Sequence, residues 1–427
     1  MASEAGEVIG SDQGGERDRR PLFALLAANT VSGLGSALTL VAIPWFVLIT
    51  TGSAAKTGIT VATGTVPYLL AGVFGGALVD RIGYRRSSIV SDLWSTLAIL
   101  AIPLIYDTIG LAFWELLVLV FLATLVRLPG QTGRDSLFPQ LAEMAKMPLE
   151  RANSLSQGVP RLTLLVGPAI AGILIAAISA RNVLWIDSFT FAVSAIIVAV
   201  TIPPDKPSAT RASESYLRDT LEGFRFIHRD RVLLWIVITF AIGSLVSEPI
   251  YTIVLPVYAK QVYGTAADLG LLYSSLAVGS LIGLGLYAIF GPRLSGWKTF
   301  IAGFFVRALT FVVLVFLPSL PIAMAAIVVN ATMFEPINPL LTSILQRHAP
   351  EGIRGRVFGS FDAIAAGTLP AGTLIGGILL GSGGLVMTLS IVAGASLLQA
   401  VTLPLIPSLR DMDTPAEVLT PAGVLER

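Results

Sequence analysis

The chain has 427 residues, of which 54% are hydrophobic and only 13% charged, with a mean hydropathy of +0.80. Soluble domains carry about 25% charged residues, so a water-soluble globule is excluded and a helical protein crossing a membrane many times is indicated. The net charge of +1 says little until its distribution is read, and the absence of cysteine removes thiol catalysis, disulfides and cysteine metal sites.

Residues 1–21 are polar and rich in glycine and charge, with no apolar core for a cleavable signal, and read as a disordered cytoplasmic tail. Twelve apolar stretches follow, at about 22–49, 57–79, 88–107, 111–133, 153–179, 183–202, 232–256, 268–290, 299–317, 321–343, 358–381 and 384–406. The longest polar stretch, 203–231, separates the sixth from the seventh. The predicted fold is an all-α membrane protein: twelve transmembrane helices in two pseudo-symmetric six-helix bundles, 22–202 and 232–406, with a cytoplasmic tail at 407–427. Within the linker, Tyr216, Leu217, Leu221, Phe224, Phe226 and Ile227 lie among charges, the pattern of an amphipathic helix at the inner membrane face that tethers the halves. His228 and His348 fall in polar stretches, so no histidine cluster is expected to hold a metal.

Placing the N-terminus inside assigns twenty-two Lys and Arg to cytoplasmic stretches and only Lys56, Arg181 and Lys260 to the other side. That bias puts both termini in the cytoplasm. The halves also repeat. Arg151, followed by Ala171-Gly172-Ile173-Leu174, recurs 205 residues on as Arg356, followed by Gly376-Gly377-Ile378-Leu379. Parallel repeats of this kind place substrate near the bilayer midplane, between the halves.

Gly75 to Arg86 is a knot of glycine and charge between the second and third segments. Small residues around Gly76 let a neighbouring helix approach. Asp80 ends its helix, Arg81 follows, and Gly83 permits a tight turn that presents Arg85 and Arg86. Asp92, one turn into the third segment, is expected to pair with Arg81 or Arg85.

Charges inside the bilayer cost a few kcal/mol each and are functional candidates by default. Arg127 and Arg161 lie in the fourth and fifth segments, and each needs a carboxylate or carbonyl partner. Glu248 and Glu335 precede prolines in the seventh and tenth segments, where a lost backbone bond loosens the helix beside the charge. Burial raises a carboxyl pKa toward neutrality, as a proton carrier needs, and a static ion pair is the other reading; Arg307 is the expected partner of Glu335. Asn29 and Asn330 either hydrogen-bond substrate or join helices. Asp187 and Glu115 lie near the outer ends of their segments and are expected to be structural.

The pattern G-x-L-x-D-R-x-G-x-R-R from Gly76 to Arg86 resembles the loop 2–3 signature of the major facilitator superfamily of secondary transporters, with Tyr84 where that family often has a basic residue. Within the superfamily the chain looks most like the bacterial branch of macrolide, drug and siderophore exporters. The resemblance implies that Asp80 and the loop arginines latch the inner ends of the second and eleventh segments, with Asp362 as the counterpart. Gly167, Pro168 and Gly172 resemble part of the antiporter motif of drug–proton exchangers. The implied activity is proton-coupled export of amphipathic small molecules such as antibiotics. A single native product, such as a siderophore or lipid, is the alternative, and an uptake symporter comes third. No cofactor, no nucleic acid and no enzymatic step are expected; the partners are the lipid bilayer, protons and the substrate. The expected protein is a monomer in a bacterial cell membrane.

Overall fold

A backbone in hydrocarbon must satisfy its own hydrogen bonds, and helices do so within one segment. The structure, a computed structural model, describes residues 18–147, 149–204, 216–350 and 353–413, and no strand occurs among them. Residues 1–17, 205–215 and 414–427, which hold most of both tails and part of the linker, lie outside the described residues. The first half comprises α1 (Arg20–Thr51), α2 (Ala54–Ile82), α3 (Tyr84–Thr108), α4 (Phe113–Met144), α5 (Leu149–Ile178) and α6 (Ala180–Thr201). After α7 (Tyr216–Arg229) come α8 (Arg231–Pro249), α9 (Leu255–Tyr258), α10 (Ala266–Phe290) and α11 (Gly296–Val315). The chain ends in α12 (Leu320–Phe334), α13 (Ile337–His348) and α14 (Arg354–Thr402).

Nine helical stretches among the described residues are long and apolar enough to cross a membrane, and α2 and α5, of 29 and 30 residues, run beside them. The last stretch, Arg354–Leu405, has 52 residues, far more than the ~20 of one crossing. Gly384, at φ 72°, breaks it in two and brings the crossings to twelve. The piece before the break, 354–383, is the span of α5 shifted by 205 positions. Two crossings are interrupted. The one begun by α8 continues past Pro249 through π-turns at Ile250–Val254 and Ala259–Tyr263 that flank α9, and the tenth is split into α12 and α13 at Glu335-Pro336. Both sit at prolines, which lack the N–H that would continue the ladder.

The start of α1, Pro407–Asp413, Gly83 and α7 lie at one end of the bundle, here called the terminal end; Gly52, Gly264 and Gly384 lie at the far end. The halves meet along α2 with α14 and α5 with α10. At the far end they meet backbone to backbone. A Cβ added at Gly58 would stand 2.5 Å from Gly377 Cα, one at Gly381 would stand 2.7 Å from Ala55 Cβ, and Gly172 abuts Gly270. Gly172 and Gly377 are equivalent in the repeat, so one motif builds both crossings. A single hydrophobic cluster, with Phe46, Leu184, Leu255 and Leu380, spans both halves there. Lys260 Nζ also donates to Leu48 O at 3.3 Å.

The terminal end differs. One cluster, with Leu25, Phe138 and Leu141, belongs to the first half, and another, with Leu233, Phe300 and Ile344, to the second. Gly158, Gly355, Gly359 and Gly367 have open space where a Cβ would project. The molecule is closed at its far end and parted at its terminal end.

The amphipathic α7 packs against α14 and α8 and so belongs to the second half. Gly223 abuts the Arg356 carbonyl, Ile227 is buried, Leu221 is exposed, and Glu222 pairs with Arg356 at 2.6 Å. Asp230 alone separates α7 from α8; it caps α8 by accepting from the Val232 and Leu233 N–H groups. His348, expected in a polar loop, is instead buried at the end of α13, with Nδ1 2.9 Å from Asp230. Burial pushes the Asp230 carboxyl up, but the hydrogen bonds from His348, Leu233 and Val232 outweigh it and hold its pKa below the ordinary value.

Because the chain lacks cysteine, Ala55→Cys with Gly381→Cys will report the closed far end directly. Mild oxidation should join the pair and stop transport, and reduction should restore it; full transport by the completely cross-linked protein would contradict a far-end seal that must open. A depressed folded pKa means that Asp230 contributes stability above its unfolded value of ~3.9 and loses it as pH falls through its folded value. Asp230→Ala should therefore lower the unfolding midpoint at neutral pH, by about 1 kcal/mol for the cap alone. The gap to wild type should close as pH falls through the folded value, as read by thermal scans in detergent.

Candidate functional site

The charged knot is not a loop. Only Gly83 separates α2 from α3, at φ 93°, a conformation open to glycine and strained for a side chain. Arg81 occupies the last turn of α2, where a cation suits the helix dipole, and Arg85 and Arg86 open α3, where it does not. Arg85 offsets this by donating from Nη2 to Ala199 O at 2.6 Å, near the C-terminus of α6. Arg81, Arg86 and Asp362 are exposed at the parted end. The side chains of Asp80 and Arg161, and the surroundings of Gly76, lie outside what the structure describes.

Asp92 does not pair with Arg81 or Arg85. Its carboxylate is fully buried and accepts from Arg134 Nη1 at 2.8 and 3.0 Å, and from Ser194 at 2.7 Å. The cytoplasmic loop expected to hold Arg134 is instead the last part of a 32-residue α4, which carries that arginine into the bundle beside α3. The pair therefore ties α3, α4 and α6 together. Asp187, near the outer end of its segment, is nonetheless fully buried: it bonds Thr39 of α1 and lies within electrostatic reach of Arg127. Asn29 is half-buried in α1. Gly167 and Gly172 are close-packing positions, the first against Ala37 of α1 and the second across the halves against Gly270; Pro168 is buried between them.

Four of the predicted residues share one cavity. Glu248, Arg307, Asn330 and Glu335 line a space of about 230 Å³ with Tyr251, Ser247 and the rings of Phe240, Phe304 and Phe334. Its lining comes entirely from the second half, so Asn29 and Arg127 are not brought into it. Both acids lie at mid-depth, at the two proline interruptions, so the breaks aim carboxylates into the space.

Arg307 forms no ion pair with Glu335 or any other carboxylate among the described residues. Its guanidinium lies 4.5 Å from the Phe304 ring centroid and 4.0 Å from that of Phe334, and Nη1 donates to Ser247 Oγ at 3.3 Å. A desolvated cation–π contact is worth ~2 kcal/mol, against a cost of ~3 kcal/mol for arginine at mid-membrane on insertion scales. The two rings offset much of that cost, and Glu248, beyond ion-pair distance but within electrostatic reach, adds to that offset. Asn330 donates from Nδ2 to the Tyr251 hydroxyl at 2.9 Å, and Asn338 donates to Glu335 at 3.3 Å. Tyr251 and Ser247 escaped the sequence reading, although they stand four residues apart on either side of Glu248; their neutral side chains carry no membrane penalty to draw notice.

A family model described as the Major Facilitator Superfamily matches residues 25–369. The chain belongs to that superfamily. As a major facilitator protein it is a membrane transporter, not an enzyme. It is 31% identical over 400 residues to the "Multidrug efflux pump Tap" of Mycolicibacterium fortuitum, covering 92% of this chain and 98% of that one. It is 21% identical over 397 residues to "Macrolide efflux protein A" of Streptococcus pyogenes, covering 92% and 97%. Among solved structures, nucleoside transporter NupG superposes with a TM-score of 0.73 at 12% identity, over 90% of this chain and 98% of that one, a likeness of fold.

Removing one member of a buried ion pair leaves the other charge stranded, at ~3–5 kcal/mol, whereas replacing both by apolar groups is often near neutral. Asp92→Ala or Arg134→Met should each sharply lower the unfolding temperature and membrane yield of this facilitator. The double variant should recover most of the loss, as a double-mutant cycle in detergent would measure.

Proposed function

We propose that this major facilitator protein is a proton-coupled exporter of amphipathic small molecules such as antibiotics, a monomer in a bacterial cell membrane with both termini in the cytoplasm. Three lines support the reading. The relatives that match it end to end are named as efflux proteins. The Lys and Arg bias assigns the terminal end to the cytoplasm, so the conformation described faces inward. One observation carries the coupling: two carboxylates sit at mid-depth, at helix breaks, in one aromatic-walled cavity with an arginine that neither of them holds.

In this reading substrate enters from the cytoplasmic side or the inner leaflet. The halves then rock about the two contacts α2–α14 and α5–α10, and the far end parts. In the outward state Asp80, Arg81, Gly83, Arg85 and Arg86 latch the inner ends of α2 and α14, with Asp362 opposite. Protons reach Glu248 and Glu335 from outside, displace the substrate's positive pole and return the molecule inward. An energy difference of ~5.5 kcal/mol moves such an equilibrium from one side almost wholly to the other, and neutralising one buried carboxylate supplies a large part of it.

Everted vesicles given an inward-acid proton gradient should accumulate a fluorescent amphipath, and collapse of the gradient should abolish the signal. Glu335→Gln and Glu248→Gln should each cut gradient-driven accumulation by at least ~10-fold, a protonation-dependent step worth ~1.4 kcal/mol or more. Exchange of labelled for unlabelled substrate without a gradient should persist. Unchanged gradient-driven export by both variants would remove the two glutamates from the coupling.

A further inference from the structure

Arg134 and Arg307 are both buried, and they are partnered in opposite ways. Arg134 is satisfied by a carboxylate on two oxygens. Arg307, 4% exposed, has rings over its faces and one serine hydroxyl on its fork, and no carboxylate within 4.0 Å among the described residues. A guanidinium presents five N–H groups in its plane. Aromatic faces cover the charge but accept none of these donors, so most of the fork is left without an acceptor.

A second atom in the same cavity is also unmet. Asn330 is 2% exposed, its Nδ2 is spent on Tyr251, and its Oδ1 is buried with no partner. Turning the amide over would satisfy the oxygen and strand the amino group, so either orientation leaves one polar atom unused. Tyr251 is held in place through its own carbonyl, which accepts from the Tyr273 hydroxyl at 2.6 Å. Its phenol accepts from Asn330, and its proton is bonded to no described acceptor.

Glu248 and Glu335 face the same space with the opposite polarity. The Glu248 carboxyl makes no hydrogen bond among the described residues, and Glu335 accepts only from Asn338. The cavity thus offers free donors on Arg307 and Tyr251, free acceptors on two carboxylates, and rings of Phe240, Phe304 and Phe334 around them. A ligand that is only a cation leaves the guanidinium unmet. One that is only an anion must face two carboxylates. Buried polar groups left unpaired on binding are what make a site selective.

Granted the export reading, on which this rests, we propose that the cavity selects amphoteric aromatic molecules: an acidic group (carboxylate, enolate or phenolate) is bound by Arg307 and Tyr251, and a protonated amine by Glu248 and Glu335. The cavity's 230 Å³ lies below the roughly 300–1,000 Å³ of sites that enclose a drug-sized ligand, so it takes this polar pole and its adjoining ring. The rest of the molecule extends out of it.

A matched pair of dyes isolates the acidic group: a rhodamine ethyl ester, which is a fixed cation, and the free acid made by hydrolysing it, which is a zwitterion. Binding to the purified full-length protein in nanodiscs, read by fluorescence polarisation at neutral pH, needs no proton gradient. The free acid should bind about tenfold more tightly, as a charge-assisted bidentate contact gives. Arg307→Gln should bring the ratio of the two affinities to about one, and Tyr251→Phe, which keeps the charge and the packing, should reduce it by about threefold. Thermal unfolding of each variant confirms that the binding-competent fold is retained. Equal wild-type affinities for ester and acid, or an unchanged ratio in both variants, would overturn the proposal. Failure of either dye to accumulate in energised vesicles would count against the export reading alone, because the binding ratio is measured without transport.

Discussion

Backbone meets backbone at the far end, and the rest of the architecture depends on that approach. Gly58 on Gly377 and Gly172 on Gly270 bring α2 to α14 and α5 to α10 closer than any side chain permits. In lipid no hydrophobic force draws helices together, so close van der Waals contact between small residues supplies the attraction. Such contacts are strong when complete and lost over a short displacement, which suits an interface that must hold one state firmly and still release it. The Gly172–Gly377 repeat equivalence gives both crossings the same construction, and with it a two-fold pivot about which the halves can rock.

Buried charge divides this protein into two kinds of interior. In the first half Asp92 and Arg134 satisfy each other and gather α1, α3, α4 and α6 around them through Ser32, Ser88 and Ser194. Within that core the two charges are met by each other and by serine hydroxyls. In the second half the charges of Glu248, Arg307 and Glu335 occupy one space with no ion pair within 4.0 Å among the described residues, and Phe304 and Phe334 cover the arginine while Glu248 acts on it from a distance. The first arrangement gives rigidity, the second a capacity to bind, and the two halves of a duplicated fold have diverged in how they treat the same expensive residues.

Much of this was legible in the residues. The membrane penalty on charge singled out Glu248, Arg307 and Glu335, and helix-loosening prolines marked the two interruptions. The 205-residue offset matched the fifth apolar stretch to the eleventh, and the structure shows the same offset between α5 and 354–383. What misled was pairing. Asp92 lay near Arg81 and Arg85 along the chain, yet its partner, 42 positions away, is on α4. The continuation of α4 past 133 into a charged stretch was invisible because neutralisation by a neighbour, not apolarity, admits Arg134 to the interior. His348 was read as a loop residue for the same reason: its burial depends on Asp230, 118 positions earlier.

The solvent, the number of crossings, the duplication and the cost of each membrane charge were readable from residue order alone, because these follow from composition and period along one segment. Which charges neutralise each other, which cavity gathers the remainder and which end of the bundle is shut were decided only by tertiary packing. Those are relations between helices far apart in the chain, set by distances of a few ångströms that no single segment encodes.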